Sequence, residues 1–302
     1  MTSIIEPVML KTFEECIDFL LPREHHCITL TSQLAENGVP RFPKNNFRAF
    51  VCLRHNTYGP VDFLGYRSIS GILFLMRNGT LLHCFGEDFN PADYQPELGK
   101  FISSLQIRCI LGTNHGTRLL ESLTKRKLDY AVDYQLMTID SPLDRSCEEQ
   151  FPGEIESNTH IHPEIIRAVP ENIAEMLHLQ EGYEREEVIP PGNPFDRESC
   201  RRHLAATLQN QYVYAIRVEK QYLAKAGTNA RGIHWDQIGG VYTDPAWRNH
   251  GFASAIVTHT VRNRMDQRRH VALFVKLTNT TARAIYERIG FKVDDQFRIS
   301  YY

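Results

Sequence analysis

Apolar and polar positions along the chain alternate with two different periods. From Met9 to Leu21 the apolar residues fall at helical spacing, whereas Phe47–Leu53 and Gly71–Met76 read as strands. Asn78-Gly79 predicts a hairpin turn from Gly71–Met76 into Thr80–Phe85. A helix over Leu98–Leu105, a buried strand over Ile107–Leu111, a helix over His115–Leu123 and a strand over Tyr130–Ile139 follow. This alternation predicts an α/β or α+β domain.

The second half has the same mixed character. Ile165–Val169 predicts a strand, and Asn172–Glu186 a helix carrying Ile173, Met176, Leu177 and Leu179. Pro190-Pro191-Gly192 breaks the chain, and Asp196 caps a second helix over Arg197–Leu208. Tyr212–Val218 and Tyr222–Thr228 predict a hairpin, and Gln237–Thr243 a further strand. Ala253, Val257, Val261 and Met265 stripe a helix over Gly251–Met265. Val271–Val275 predicts a strand buried on both faces, and Thr281–Ile289 a helix closed by Gly290 with Phe291 packing back. Phe291–Val293 and Gln296–Tyr302 are expected to flank a turn at Asp294-Asp295.

A length of 302 residues predicts two domains. The polar stretch Ser141–His162, with Pro142, Pro152 and Gly153, predicts a linker between residues 1–145 and 160–302. With 34 Lys+Arg against 36 Asp+Glu, the net charge of −2 supplies no field for a polyanion, so no nucleic-acid partner is expected. No apolar run reaches the length of a bilayer span, and Met1–Pro22 lacks the pattern of a signal peptide. The 7 cysteines form no C-x-x-C pair; they predict buried thiols, no disulfide framework, and a reducing, cytoplasmic setting. His250 and His259 lack metal-ligand spacing, and no metal is expected.

The most informative stretch runs from Gly239 to Ser254. A strand ends, a turn with Pro245 follows, and a helix begins near Asn249. The first-turn amides of a helix have no intrahelical acceptor and lie at the positive end of its dipole, so they attract an anion. Gly251 lets a diphosphate approach the backbone, Ala253 is small, and Arg248 adds a charge. The pattern is neither a P-loop nor a dinucleotide fingerprint.

Here the chain resembles the GNAT superfamily of N-acetyltransferases. Val241–Ala253 is similar to its V-x-x-x-x-x-x-[RQ]-x-x-G-x-[GA] segment, and Asn279–Phe291 to its N-x-x-[AS]-x-x-[ILF]-Y-x-x-x-G-F segment. The resemblance covers Ile165–Tyr302. It implies a GNAT-like mixed sheet holding acetyl-coenzyme A between two splayed strands, within an overall α+β fold of three layers. It further implies that Val241, Tyr242 and Thr243 offer backbone groups to the pantetheine arm, with an N–H near Val241 facing the thioester carbonyl. Arg248, Asn249, His250, Gly251, Phe252, Ala253 and Ser254 would wrap the diphosphate, and Asn279 would bond the pantetheine. Tyr286 would be the general acid for the leaving thiolate. The amine must lose a proton; Asp236, just before the central strand, is one candidate base, and Glu181 and Glu184 are others.

Gly112-Thr113-Asn114-His115-Gly116 echoes Arg248–Gly251 but lacks the arginine, which suggests an N-terminal half that is a degenerate GNAT-like unit without coenzyme. It would close the acceptor cleft or form a homodimer surface. The expected activity is acetyl transfer to a primary amine of a small molecule or peptide, with no membrane partner. A non-catalytic acyl-coenzyme A sensor or scaffold and an aminoacyl or longer-acyl transferase are the alternatives.

Overall fold

The computed structural model describes residues 4–36, 38–42, 48–55, 67–139, 163–190 and 192–302. They form two compact units, each described by itself. The first comprises Met1–Leu136, Gly232–His234 and Asp294–Tyr302; the second comprises Met137–Arg231 and Trp235–Val293.

In the first unit the elements run β1 (Ile4–Pro7), α1 (Phe13–Leu20), α2 (Ile28–Gln33), β2 (Ala35–Glu36), β3 (Val39–Pro40), β4 (Ala49–His55), β5 (Arg67–Leu75), β6 (Thr80–Phe85), α3 (Glu97–Ser104), β7 (Cys109–Thr113), α4 (Asn114–Leu123) and β8 (Tyr130–Ile139). Strands β1, β4, β5 and β6 are antiparallel neighbours, and β7 pairs parallel to β6 with Leu82 opposite Leu111. Successive residues of a strand face opposite sides. Ile72 and Phe74 therefore pack with Cys16 and Leu20 of α1, while Leu73 and Leu75 pack with Leu98 and Ile102 of α3 and Leu120 of α4. Helices thus cover both faces, giving three layers.

The second unit contains β9 (Glu164–Ala168), α5 (Ile173–Tyr183), α6 (Arg197–Asn210), β10 (Val213–Val218), β11 (Gln221–Arg231), β12 (Trp235–Thr243), α7 (Phe252–Asp266), β13 (His270–Lys276) and α8 (Thr280–Ile289). Strands β9 to β12 form an antiparallel ribbon, and β13 runs parallel to β12. Alternation again builds two cores: Tyr214 and Ile216 meet α7 and α8, while Val213 and Ala215 meet α5 and α6. Asp196 caps α6 through the Glu198 and Ser199 amides.

Two expectations change. The linker expected over Ser141–His162 lies outside the described residues. The division is not contiguous at 145/160, because the first unit takes Gly232–His234 and Asp294–Tyr302 from the C-terminal half. Asp294-Asp295 makes no turn: β14 runs unbroken over Lys292–Tyr301, and its Phe297–Tyr301 segment pairs antiparallel with Thr113–Cys109 of β7. Tertiary strand pairing here overrides a local turn preference.

The two halves repeat one order: antiparallel strand pair, helix, parallel strand, helix. It is β5-β6-α3-β7-α4 in the first and β11-β12-α7-β13-α8 in the second. This corrects the echo at Gly112–Gly116. That stretch follows β7, so it corresponds to the β13–α8 junction and not to the turn before α7.

Candidate active site

The register between β12 and β13 runs from Trp235–His270 to Ile238–Leu273 and stops. Beyond it β12 continues to Thr243 and stays paired with β11, through Tyr242–Lys225 and Thr243–Ala224. A register shift between Lys225 and Gly227, with Gly240 at φ 61°, marks a bulge that re-aims this end of β12. The side of β12 toward β13 is therefore an open strand edge over Gly239–Thr243. Among the described residues Thr243 Oγ1, at this end of β12, is buried without a hydrogen-bond partner. A buried hydroxyl without a partner is costly, and a polar ligand on this edge would satisfy it.

The chain then turns over Pro245–Trp247, capped by Asp244 on the Ala246 amide, and enters α7 through Gly251. Gly251 adopts φ 76°, a left-handed conformation that a side chain would strain. Asn249 is left-handed too, at φ 66°. Helix α7 spans 15 residues, and its leading amides face the turn. Ala253 and Ser254 lie part-exposed in the first turn. Phe252 does not present its ring to this surface; the ring is buried among Ala255, Ile256 and Tyr286, so only its backbone is available. His250 is exposed and its Nδ1 lies 2.8 Å from the Arg248 carbonyl oxygen.

Arg248 reaches back to the end of α5. Its Nη2 donates to both oxygens of Glu186, at 2.9 and 2.8 Å, and its Nε donates to the Thr243 carbonyl. Tyr242 donates its hydroxyl to the same Glu186 carboxylate at 2.8 Å. That hydroxyl lies against Gly182 of α5, where any Cβ would overlap it. Burial first, then Glu186, pushes the Tyr242 phenol up to about 12.

Glu186 and Glu187 sit on a π-helical turn, Glu184–Val188, that closes α5. Such turns are frequent at functional sites. Lys276 at the end of β13 pairs with Glu187 at 2.9 Å, and Asn279 Nδ2 points at the other Glu187 oxygen at 3.5 Å. The Asn279 side-chain oxygen caps α8 by accepting from the Ala282 amide. Tyr286, two turns into α8, is buried, and its phenol pKa is raised by burial and then by the proximity of Tyr183 and Glu187. Tyr183 is pushed up to about 12 by burial, against hydrogen bonds from the Gly240 backbone and the Asn229 side chain. Tyr183, Glu186 and Glu187 were missed in the sequence. Their signal was the acidic run ending a helix, which a regular helical period scatters around the axis.

Asp236 is the correction among the expected site residues. It is fully buried, and Arg264 Nε donates to one oxygen at 2.7 Å while Arg269 Nη2 and Nε donate to the other at 3.0 and 3.2 Å. Arg264 also lies 3.7 Å from the Tyr212 ring centroid. This carboxylate, in the paired part of β12, neutralises buried guanidinium groups and is not placed as a base. Of the other candidates, Glu181 accepts from Arg197 at 2.6 Å. Glu184 is buried and accepts from Gln180 at 2.9 Å, with His203 Nδ1 at 3.2 Å. Burial pushes the Cys200 thiol up to about 12, which suits a packing residue rather than a nucleophile.

In the first unit, the rings of His83 and Phe85 fill the space beside Gly116, and His83 also lies where a Cβ of Gly112 would stand. His83 Nε2 lies 2.9 Å from Thr117 Oγ1, and burial lowers its pKa to about 3, so it is a neutral core residue. The turn that follows β6, where the second unit has Arg248, carries Glu87 and Asp88. The His83 imidazole fills the space beside both glycines.

Residues 228–299 match the family model described as FR47-like protein. A solved Drosophila protein is similar over 99% of this chain and 99% of its own, with a TM-score of 0.61 at 15% identity. An acetyltransferase from the GNAT family of Colwellia psychrerythraea is similar over 99% of this chain and 98% of its own, with a TM-score of 0.50 at 9% identity. No curated protein matches the sequence. The fold is like that of these solved proteins: a mixed α+β architecture, with both halves inside the matched span. Among the described residues no helix is long and apolar enough to cross a membrane.

Proposed function

We propose that the second unit is an N-acyltransferase that uses acetyl-coenzyme A to acetylate a primary amine of a small molecule or peptide. The observation that carries this reading is the parting of β12 from β13 beyond Ile238 and Leu273, immediately ahead of the Gly251 turn. The open edge at Val241, Tyr242 and Thr243 fits an extended amide-bearing arm, and the unpartnered Thr243 hydroxyl supports a polar occupant. Residues Arg248–Ser254 fit the diphosphate, with Arg248 exchanging Glu186 for phosphate oxygens. With its oxygen fixed in the α8 cap, the Asn279 amide keeps its Nδ2 hydrogens available, one toward Glu187 and the other for the arm.

In the reaction, the amine nitrogen bonds to the acyl carbon and the carbon–sulfur bond breaks. Backbone N–H groups near Val241 stabilise the charge gathering on the carbonyl oxygen. Tyr286 donates its proton to the departing sulfur; its raised pKa keeps it protonated at neutral pH. Asp236 is fully buried between two arginines, whereas Glu187 is part-exposed and meets Lys276 through one oxygen; Glu187 is the carboxylate we assign to take the amine proton. Its influence on both Tyr183 and Tyr286 supports that choice.

Turnover of acetyl-coenzyme A against a panel of amines tests this. Tyr286→Phe is expected to lower kcat by about 10²-fold or more while leaving coenzyme affinity unchanged. Unchanged turnover removes Tyr286 from the acid role. Tight coenzyme binding without transfer to any amine favours the sensor reading.

A further inference from the structure

His25 and His26 close the helical turn Leu21–His26 of the first unit, and Asp294 and Asp295 lie in β14. His25 Nε2 is 3.4 Å from Asp294 Oδ2, and His26 Nε2 is 3.1 Å from the same oxygen and 3.6 Å from Asp295 Oδ2. One donor atom each from His25, His26 and Asp294 lies within 4.8 Å of the other two. Zinc bonds of 2.0–2.1 Å at tetrahedral angles place neighbouring ligand atoms about 3.3 Å apart. The imidazole-to-carboxylate distances of 3.4, 3.1 and 3.6 Å bracket that spacing.

The surroundings hold these groups in place. Glu24, between Arg23 and His25, is fully buried; it accepts from the backbone N–H of Ile233, from that of His234 at 2.9 Å, and from Thr31 Oγ1 at 3.1 Å. The backbone that presents His25 and His26 is thereby clamped. The two imidazoles converge, with ring centroids 4.0 Å apart, although adjacent residues ordinarily diverge. Asp295 Oδ1 accepts from the Gln296 amide at 2.7 Å, which aims Oδ2 toward His26. Such bonds orient ligands in metal sites. Two imidazoles with a carboxylate form an N/O donor set that suits zinc or cobalt better than calcium or magnesium, and Asp295 adds negative charge beside it.

We propose that His25, His26 and Asp294, with Asp295 beside His26, form a binding site for a divalent transition-metal ion, with zinc the expected occupant. The site joins residues 268 positions apart in sequence, which is why no ligand spacing announces it. It is independent of the acyl-transfer reading.

Full-length protein freed of metal with a chelator is titrated with cobalt(II), and zinc is then added in competition. The expected result is one cobalt per chain, the visible absorption of a four-coordinate N/O site, and its loss on adding zinc. Asp294→Asn and His26→Ala are each expected to weaken binding at least tenfold, while His115→Ala, at an exposed position of α4, leaves it unchanged. Zinc should raise the Tm of the unaltered chain and not that of Asp294→Asn, a variant of equal size that guards against misfolding in His26→Ala. Absence of saturable cobalt binding, or equal affinity in the unaltered chain and Asp294→Asn, overturns the proposal.

Discussion

Arg248 and Glu186 hold each other across the turn that we propose receives a diphosphate. One guanidinium nitrogen spans both carboxylate oxygens, and Tyr242 shares one of them. Both side chains are close to half exposed, so the pair itself adds little stability. Its consequence is for binding, since Arg248 must leave one anion to meet another.

Removal of that competition should tighten coenzyme binding. Glu186→Gln is expected to lower the Kd for coenzyme A by up to about fivefold, the scale of an exposed ion pair. Calorimetric titration at two salt concentrations checks it, with a smaller gain at high salt. Weaker binding in the variant would mean that Glu186 positions Arg248 rather than competing for it.

Asp236 separates a structural role from a catalytic one. Asp236→Asn removes the buried carboxylate charge that Arg264 and Arg269 share, which should cost about 3–5 kcal/mol. Denaturant unfolding checks the loss. Turnover per folded molecule, measured well below the Tm, should be unchanged; a large fall in kcat at constant folded fraction would restore Asp236 as a base.

Lys225 gives the pH dependence. It is buried, donates to the Gly240 carbonyl at 2.9 Å and sits 4.6 Å from the Tyr183 ring centroid. Burial lowers its pKa from 10.5 to about 8, partly opposed by Cys200 and Glu184. Between these values the unfolded chain binds the extra proton, so stability rises with pH from about 8 to about 10.5 and is lost as pH falls through about 8. Lys225→Met should be more stable than the unaltered chain at pH 7, and the difference should shrink across that window. A constant difference in denaturation midpoints from pH 7 to 10.5 would contradict this.

Much of the candidate site was legible because its signals are local. Strand, turn and helix follow one another within Gly239–Ser254, and the left-handed Gly251 and Gly290 occupy the helix ends where a side chain is costly. The cap at Asn279 and the burial of Tyr286 follow from the same kind of short-range spacing. Glu186 and Glu187 were not legible, because a regular helix points them differently from the π-helical turn that forms.

Asp236 was misread for the complementary reason. Its position before a strand is visible in the chain, but its partners lie 28 and 33 residues onward and meet it only when α7 folds back along β12. The Gly112–Gly116 echo likewise matched letters and not position, since the order of strands decides which turn corresponds to which.

The sequence by itself determined the elements and the phosphate-type turn, since backbone sterics, caps and periodicity act within a few residues. Only the tertiary structure decided which charges meet: Arg248 with Glu186, Asp236 with Arg264 and Arg269, and His26 with Asp294. Electrostatic and strand-pairing energies depend on distance in space, and chain separation does not encode that distance.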